Sequence, residues 1–200
     1  MFDQPIDKIN RFKLYAASNN LYSKKDIIKK QLSTKTNELF DLRDKIIFYD
    51  LTNTYFEGRK AGSRIAKFGR SKEKRSDAKI VAMAAVINAE GFLKYGRIYR
   101  GNIGDSTTLN KTIDDLSAHT STTGRKPAVV MDAGIMTDDN AAMMKKKGYD
   151  YICVARTKLK DYKYADPTGN NTKVFDKKGN PISLRLVEKE GTTDYVYVCA

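Results

Sequence analysis

The chain has 200 residues, of which 37 are lysine or arginine and 24 are aspartate or glutamate, giving a formal net charge of +13. This length suits one domain with a sizeable core plus an appendage, and the basic charge favours a polyanionic partner, with nucleic acid the first candidate. The sequence has no run of 18 apolar residues and no signal-peptide core near its N-terminus. A membrane span and secretion are therefore disfavoured, and we expect a cytoplasmic protein.

Residues 1–45 form an N-terminal segment for which helices are expected. Ser23 and Asp26 resemble a capping box, and a set of apolar residues follows at roughly helical spacing. That set is Ile27, Ile28, Leu32, Leu39 and Phe40. The opposite face carries lysines and is either a solvated face or a surface that meets DNA.

A carboxylate follows the apolar run at 46–49, which predicts a buried strand. Asp50 comes directly after this run, where an ionised side chain costs several kcal/mol unless something compensates its charge. One interpretation is a loop in which Asp50 bonds to the backbone near Thr52 and Asn53. The other is a bound cation.

Residues 58–79 contain nine lysines and arginines and few apolar side chains, which predicts an exposed, mobile loop. Such a loop can hold a DNA backbone through its phosphates. Our candidates for DNA contact are Arg70, Lys72, Lys74 and Arg75. A loop that only improves solubility is the alternative.

The next elements predict a hairpin and then a helix. The apolar run at 80–87 is typical of a central strand buried on both faces, and a turn at 88–91 leads to a second strand at 92–99. Glu90 then lies at a surface turn. A helix is expected from about Ser106, and His119, the only histidine, lies in a polar linker and is interpreted as a surface residue.

The segment 127–134 repeats the arrangement of a short apolar strand followed by an aspartate, here Asp132. Carboxyl ends of neighbouring parallel strands meet at one edge of a sheet, so Asp50 and Asp132 would repel each other there unless a cation lies between them. Hard oxygen ligands favour Mg²⁺ or Mn²⁺. After Asp132 we expect a helix that begins at Thr137 and ends before Gly148.

The order strand, hairpin, helix, strand, helix, strand over residues 46–156 is that of a ribonuclease H-like domain. The last 44 residues predict a small β appendage, with strands at about 172–175, 182–188 and 193–199. The pattern stops midway at Ala200, so we expect the chain to be cut short. Cys153 and Cys199 lie in apolar runs without CxxC spacing and are expected to be reduced core residues.

Four segments resemble the DDE transposases of bacterial insertion sequences, in the branch whose ribonuclease H-like core is interrupted by a β-rich insertion. They are YDLTNTYFEG at 49–58, GRSKEKRSD at 69–77, GNIGDSTTL at 101–109 and VVMDAGI at 129–135. The resemblance implies an α/β fold with a mixed sheet flanked by helices. It also implies three parts: an N-terminal helical segment (1–45), a partial catalytic core (46–158) and the start of the β insertion (159–200).

The resemblance further implies that Asp50 and Asp132 are the first two acids of the catalytic triad, each a ligand for Mg²⁺ or Mn²⁺. The implied function is metal-dependent DNA cleavage and strand transfer, with transposon ends and target DNA as partners. A homodimer is compatible with this function, and no membrane is involved.

The family's third acid is a glutamate on a helix after the β insertion, in a Tyr-Arg-Glu-Lys type stretch that this sequence lacks. Glu188 and Glu190 lie among strand and turn residues instead, and Ala133 replaces an arginine common in relatives. We therefore expect a transposase fragment or a degenerate copy with little activity alone. The alternatives are a non-catalytic nucleic-acid-binding module and a ribonuclease H-like nuclease of another kind.

Overall fold

The computed structural model describes residues 10–70, 76–117, 125–155, 159, 162–166, 168–169, 171–188 and 190–199. His119, Lys72, Lys74 and Arg75 lie outside these ranges. The chain divides into two compact units, residues 1–154 and residues 155–200. Among the described residues, no helix is both long and apolar enough to cross a bilayer.

The first unit is built on a mixed five-stranded sheet. Its elements are α1 (Arg11–Ser23), α2 (Lys25–Phe40), β1 (Ile46–Tyr55), β2 (Ile80–Asn88), β3 (Leu93–Arg100), α3 (Asp105–Leu116), β4 (Ala128–Met131), α4 (Asp138–Lys146) and β5 (Tyr151–Cys153). The strand order is β3-β2-β1-β4-β5, with β1 antiparallel to β2, β2 antiparallel to β3, and β4 parallel to both β1 and β5. The mixed sheet, its flanking helices and the predicted element order are confirmed.

The core lies on one face of this sheet, where α3 and α4 cover it. Fully buried examples from the strands and helices are Ile47, Val129, Leu109, Ile113 and Met144. We call this side the helix-covered face. Each strand presents alternate residues to it, as a pleated sheet requires.

The opposite side, which we call the open face, carries apolar side chains that no described element of the first unit covers. Its exposed residues are Ile46, Phe48, Met83, Ile87, Leu93, Ile98 and Ile152. The expectation that β2 is buried on both faces is therefore wrong, and β1, which was expected to be a buried strand, is buried on one face only. Their continuous apolar sequences supply the core on one side and leave Phe48 42% and Met83 44% exposed on the other.

The N-terminal helices differ from the expected single capped helix. Ser23 ends α1 and donates its hydroxyl to the carbonyl of Asn20, so the capping box with Asp26 is wrong. The predicted apolar face of α2 is also exposed, with Ile27 65% and Leu32 62% accessible.

Polar anchors hold α2 against the β2–β3 hairpin. Lys94 forms an ion pair of 2.9 Å with Asp44, and their side chains are 1% and 0% exposed. Lys94 also donates to the side chain of Asn37 on α2, and the Asn88 amide donates to Asp44 at 3.1 Å. Lys29 of α2 donates to the carbonyl of Gly96 at 2.7 Å. Lys29 was expected on a solvated or DNA-facing surface. It instead donates a hydrogen bond to a backbone carbonyl of β3, which is an edge strand of the sheet.

Residues 65–70 form backbone pairs and packing contacts where an exposed, mobile loop was expected. Ala66 is 1% exposed, Lys67 pairs with Ile80 in an isolated bridge, and Gly101 donates its N–H to the carbonyl of Ile65. Residues 65–70 therefore pack on the end of the hairpin. The basic composition of the whole loop gave no indication of the buried Ala66 or of these backbone pairs.

The second unit contains β6 (Lys163–Tyr164), β7 (Thr172–Phe175), β8 (Pro181–Glu188) and β9 (Val196–Cys199), all antiparallel to β8. The predicted β appendage is thus confirmed. Both cysteines are free: Cys153 packs against the core of the first unit, but Cys199 is exposed. The expectation of a buried Cys199 is wrong because Cys199 lies at an exposed position of the alternating burial pattern along β9.

Candidate active site

Asp50 lies within β1 rather than at its end. The strand continues to Tyr55, and Asp50 is paired with Ala85 of β2. Burial alternates along β1, so that Tyr49 and Leu51 are buried while Asp50 is exposed. The carboxylate therefore belongs to the open face, and the expected desolvation cost does not arise. The predicted loop cap is wrong, since Thr52 and Asn53 are themselves paired in the ladder with β2.

The register between β1 and β4 brings Asp132 beside Asp50. The strands run parallel with Tyr49 opposite Met131, and both of these side chains are buried. The next residues are Asp50, which is still within β1, and Asp132, which directly follows the end of β4; both are exposed. Neighbouring strands are about 4.8 Å apart, so the two carboxylates come from adjacent positions at one level of the sheet.

Buried hydroxyl groups fix β1 beneath Asp50. Tyr49 and Thr108 of α3 share a hydrogen bond of 2.6 Å, and the Thr108 hydroxyl lies 2.6 Å from the carbonyl of Asp105. Burial raises the pKa of Tyr49 to about 12. The phenol therefore stays neutral at physiological pH and ties the strand to the first turn of α3.

Asn140 fixes the turn after Asp132. Its side-chain amide donates to the carbonyl of Ile135 at 2.7 Å and to the carbonyl of Ser106 at 2.8 Å. Asp132 accepts a hydrogen bond of 2.8 Å from the N–H of Ala133. Thr137 caps α4 as predicted by accepting from the N–H of Asn140. The sequence did not identify Asn140. Its one signal is its place in the first turn of α4, on the side of the helix that is buried.

Asp50 and Asp132 are the two carboxylates that this geometry brings together as candidate metal ligands. Within the described residues, no group of three His, Cys, Asp or Glu side chains is placed to hold a metal ion. Glu90 is exposed at the hairpin turn as expected, and Glu188 ends β8 in the second unit. Asp50 and Asp132 supply the hard oxygen atoms that divalent cations prefer, but they supply only part of a coordination shell.

Arg70 is the one DNA-contact candidate among the described residues. It is exposed, and its carbonyl accepts a hydrogen bond of 3.2 Å from the side chain of Asn53. Both line a cleft of about 560 Å³ at the carboxyl end of β1. Two glycines shape this cleft: a Cβ on Gly69 would lie 2.1 Å from the carbonyl oxygen of Gly101, and one on Gly101 would lie 2.0 Å from that of Ile80.

The sequence matches the model of a protein family described as "Transposase DDE domain" over residues 41–193, which is more than half of the chain. The matched range includes Asp50, Asp132 and Arg70. No curated protein matches the chain significantly.

Three of the solved structures that match the chain are transposase complexes. A piggyBac transposase synaptic complex with hairpin DNA is 14% identical over 78% of this chain and 33% of its own, with a TM-score of 0.43. A Mos1 transposase paired-end complex with the left transposon end is 8% identical over 78% and 46%, with a TM-score of 0.40. A Mos1 mariner paired-end complex with Mn is 10% identical over 64% and 41%, with a TM-score of 0.38. The chain thus spans between a third and a half of the length of these proteins.

Proposed function

The chain belongs to the transposase DDE domain family, and we propose that it is the part of a DNA transposase that supplies the first two metal-binding carboxylates, Asp50 and Asp132. The reaction would be phosphoryl transfer in DNA cleavage and strand transfer. Transposon ends and target DNA are the proposed partners, a homodimer is a proposed assembly, and the cytoplasm is the proposed location.

The observation that supports this proposal is the parallel register of β1 and β4. Tyr49 lies opposite Met131, and the next residue on each strand is an exposed aspartate. Two carboxylates at one level of the sheet repel each other, and a shared divalent cation removes that repulsion. DDE transposases use divalent metal ions, and we propose Mg²⁺ or Mn²⁺ for this chain.

The roles of the chain's own residues follow from their positions. Asp50 and Asp132 would hold the ions, while Tyr49 and Asn140 keep the two strand ends from moving apart. Bound ions would activate the attacking water or 3′-hydroxyl group and stabilise the leaving oxygen. Arg70 would contact the phosphate backbone of the DNA, together with Lys72, Lys74 and Arg75.

A third carboxylate is needed for full activity, and none of the described residues provides it. We propose that residues 1–200 alone bind metal weakly and turn over DNA very slowly, because the loss of one ligand costs orders of magnitude in rate. The same observation favours a second candidate function, a DNA-binding module without catalysis.

Titration calorimetry with Mn²⁺ tests the proposed metal site. We expect saturable binding to the chain, loss of that binding in both Asp50→Asn and Asp132→Asn, and no change in the control Glu90→Gln, which removes an exposed acid from the hairpin turn. Loss in only one of the two aspartate variants would show that the acids do not share a site. Absence of binding in the folded chain would favour the module without catalysis.

A further inference from the structure

A second cleft lies at the amino ends of β1 and β4, at the end of the sheet opposite to Arg70 and Asn53. It has a volume of about 330 Å³. Four basic residues line it, together with Asp44, Ala128 and Asp150; they are Arg43, Lys45, Arg125 and Lys126. We call these four the basic quartet.

The fold brings two basic pairs together from positions some 80 residues apart in the sequence. Ala128 donates its N–H to the carbonyl of Lys45 at 2.9 Å, which aligns the two chain segments just before their strands begin. Asp44 is turned inward to Lys94 and is 0% exposed. Arg43 and Lys45, on either side of Asp44, are both exposed.

The acids near the basic quartet are already neutralised. Asp44 is paired with Lys94, and Asp150 is paired with Arg125 at 2.6 Å. The Lys126 ammonium donates to the carbonyl of Lys147 and keeps its positive charge.

Arg43 and Lys45 carry the charge that remains available. Both are exposed, and neither side chain makes a hydrogen bond or ion pair within the described part of the chain. The cleft therefore presents an excess of positive charge with two free cationic groups at its mouth. Such a surface binds a polyanion.

We infer that the basic quartet binds the phosphate backbone of double-stranded DNA, at a contact separate from Asp50 and Asp132, which we call the paired acids. This inference rests on the proposed function for its choice of polyanion. Four residues of β1, Ile46 to Tyr49, lie between Lys45 and Asp50, and the five steps from one to the other span about 17 Å at 3.3 Å per residue. The quartet therefore holds phosphates distant from the one that reacts, and it contributes affinity without reading base sequence.

Fluorescence anisotropy with a labelled duplex, repeated over a series of salt concentrations, tests the inference. We expect Arg43→Ala/Lys45→Ala to weaken binding by roughly tenfold to 100-fold at about 0.1 M salt and to reduce the slope of log K against log salt by about 1.8, the value for two phosphate contacts. The opposite effect is expected from Asp150→Asn, which frees Arg125: tighter binding and a steeper slope. A gain of affinity cannot come from misfolding.

The matched control is Lys30→Ala/Lys177→Ala, which removes the same charge from exposed positions on α2 and in the second unit. Equal slopes for this control and for Arg43→Ala/Lys45→Ala would overturn the inference, as would a wild-type chain that binds no duplex. Mn²⁺ binding should be unchanged in all of these variants. Duplex binding thus tests the basic quartet, and Mn²⁺ binding separately tests the proposed metal site at Asp50 and Asp132, so the two hypotheses can fail independently.

Discussion

Tyr49 connects the position of a reactive side chain to the stability of the fold. Its hydroxyl shares a hydrogen bond with Thr108 beneath the strand that carries Asp50. At neutral pH we expect Tyr49→Phe to lower the free energy of unfolding by about 1 kcal/mol, the usual net value of one hydrogen bond.

The effect of Tyr49 on stability should change sign in alkali. Burial raises its pKa from 10 to about 12, so the unfolded chain loses this proton first as the pH rises. The stabilisation that comes from the raised pKa of Tyr49 is complete below pH 10 and is lost between pH 10 and pH 12. The free energy of unfolding falls by about 3 kcal/mol over that range. Urea unfolding of the two proteins should therefore show Tyr49→Phe as the less stable at pH 7 and the more stable near pH 12.

The control for this prediction is Tyr15→Phe, which changes a ring that is 67% exposed on α1. Its unfolding curve should match that of the wild type at each pH. If Tyr49→Phe also followed the wild type through alkali, the buried phenol would not be the titrating group.

At the scale of single residues, the sequence was sufficient to select Asp50 and Asp132 but not to describe their surroundings. Each stood out as a carboxylate next to an apolar run. Their exposure depends on which face of the sheet is covered, and that is decided by α3 and α4 far along the chain. Asn140 was missed because its two acceptors, the carbonyls of Ser106 and Ile135, come together only in the folded chain.

At the scale of elements, Gly69 and Gly101 determine how the segment that precedes β2 meets the end of β3. A Cβ on Gly101 would lie 2.0 Å from the carbonyl oxygen of Ile80, a distance that backbone atoms cannot accept without moving. We expect Gly101→Ala to lower the free energy of unfolding by about 2 to 4 kcal/mol and to weaken DNA binding, since Arg70 would move with its segment.

Gly62→Ala is the matched control, because a Cβ there meets nothing within 4 Å and its φ is not positive. We expect it to change stability by less than about 1 kcal/mol, in the stabilising direction, by restricting the unfolded chain. Urea unfolding and duplex binding measured on both variants check the pair. Similar losses in the two would mean that the close approach of Gly69 and Gly101 does not constrain the fold.

Element boundaries were predicted well where local chemistry determines them. Thr137 and Gly148 bound α4, and the turn at Gly91 joins β2 to β3. The prediction was wrong for α2, where helical spacing of apolar residues indicated a buried face. Polar contacts from Lys29 and Asn37 hold that helix instead, and no periodicity of apolar residues reports such contacts.

At the scale of the whole molecule, the open face of the sheet is an apolar surface that surrounds the paired acids. Exposed apolar patches of this kind bind hydrophobic dyes and promote association. We expect the chain to bind such a dye, and Phe48→Ser to reduce dye binding with a small loss of stability, since Phe48 is already 42% exposed. Dye fluorescence together with urea unfolding checks both parts.

The neighbouring residue provides the contrast for this prediction. Ile47 is 0% exposed, so Ile47→Ser should cost about 3 to 5 kcal/mol and increase dye binding by loosening the core. If the two substitutions had similar effects, the distinction between the helix-covered face and the open face would be wrong.

Fold class was the most predictable property of the molecule, because the order of strands and helices restricts the arrangements a sheet can adopt. The antiparallel hairpin after β1 and the later alternation of helix and strand are both present in the structure, in the predicted order along the chain. The one-sided covering of that sheet was not predictable. A continuous apolar strand has the same sequence whether one face or both are covered.

The register of β1 against β4 also makes the paired acids sensitive to insertions and deletions. Side chains alternate between the two faces, so one residue added between Lys45 and Asp50 would move Asp50 to the helix-covered face and bring a core residue out. Two added residues would restore the face but shift Asp50 away from the level of Asp132. The site is therefore kept only if four residues, Ile46 to Tyr49, separate Lys45 from Asp50, no more and no fewer. The identity of those four apolar side chains matters less than their number.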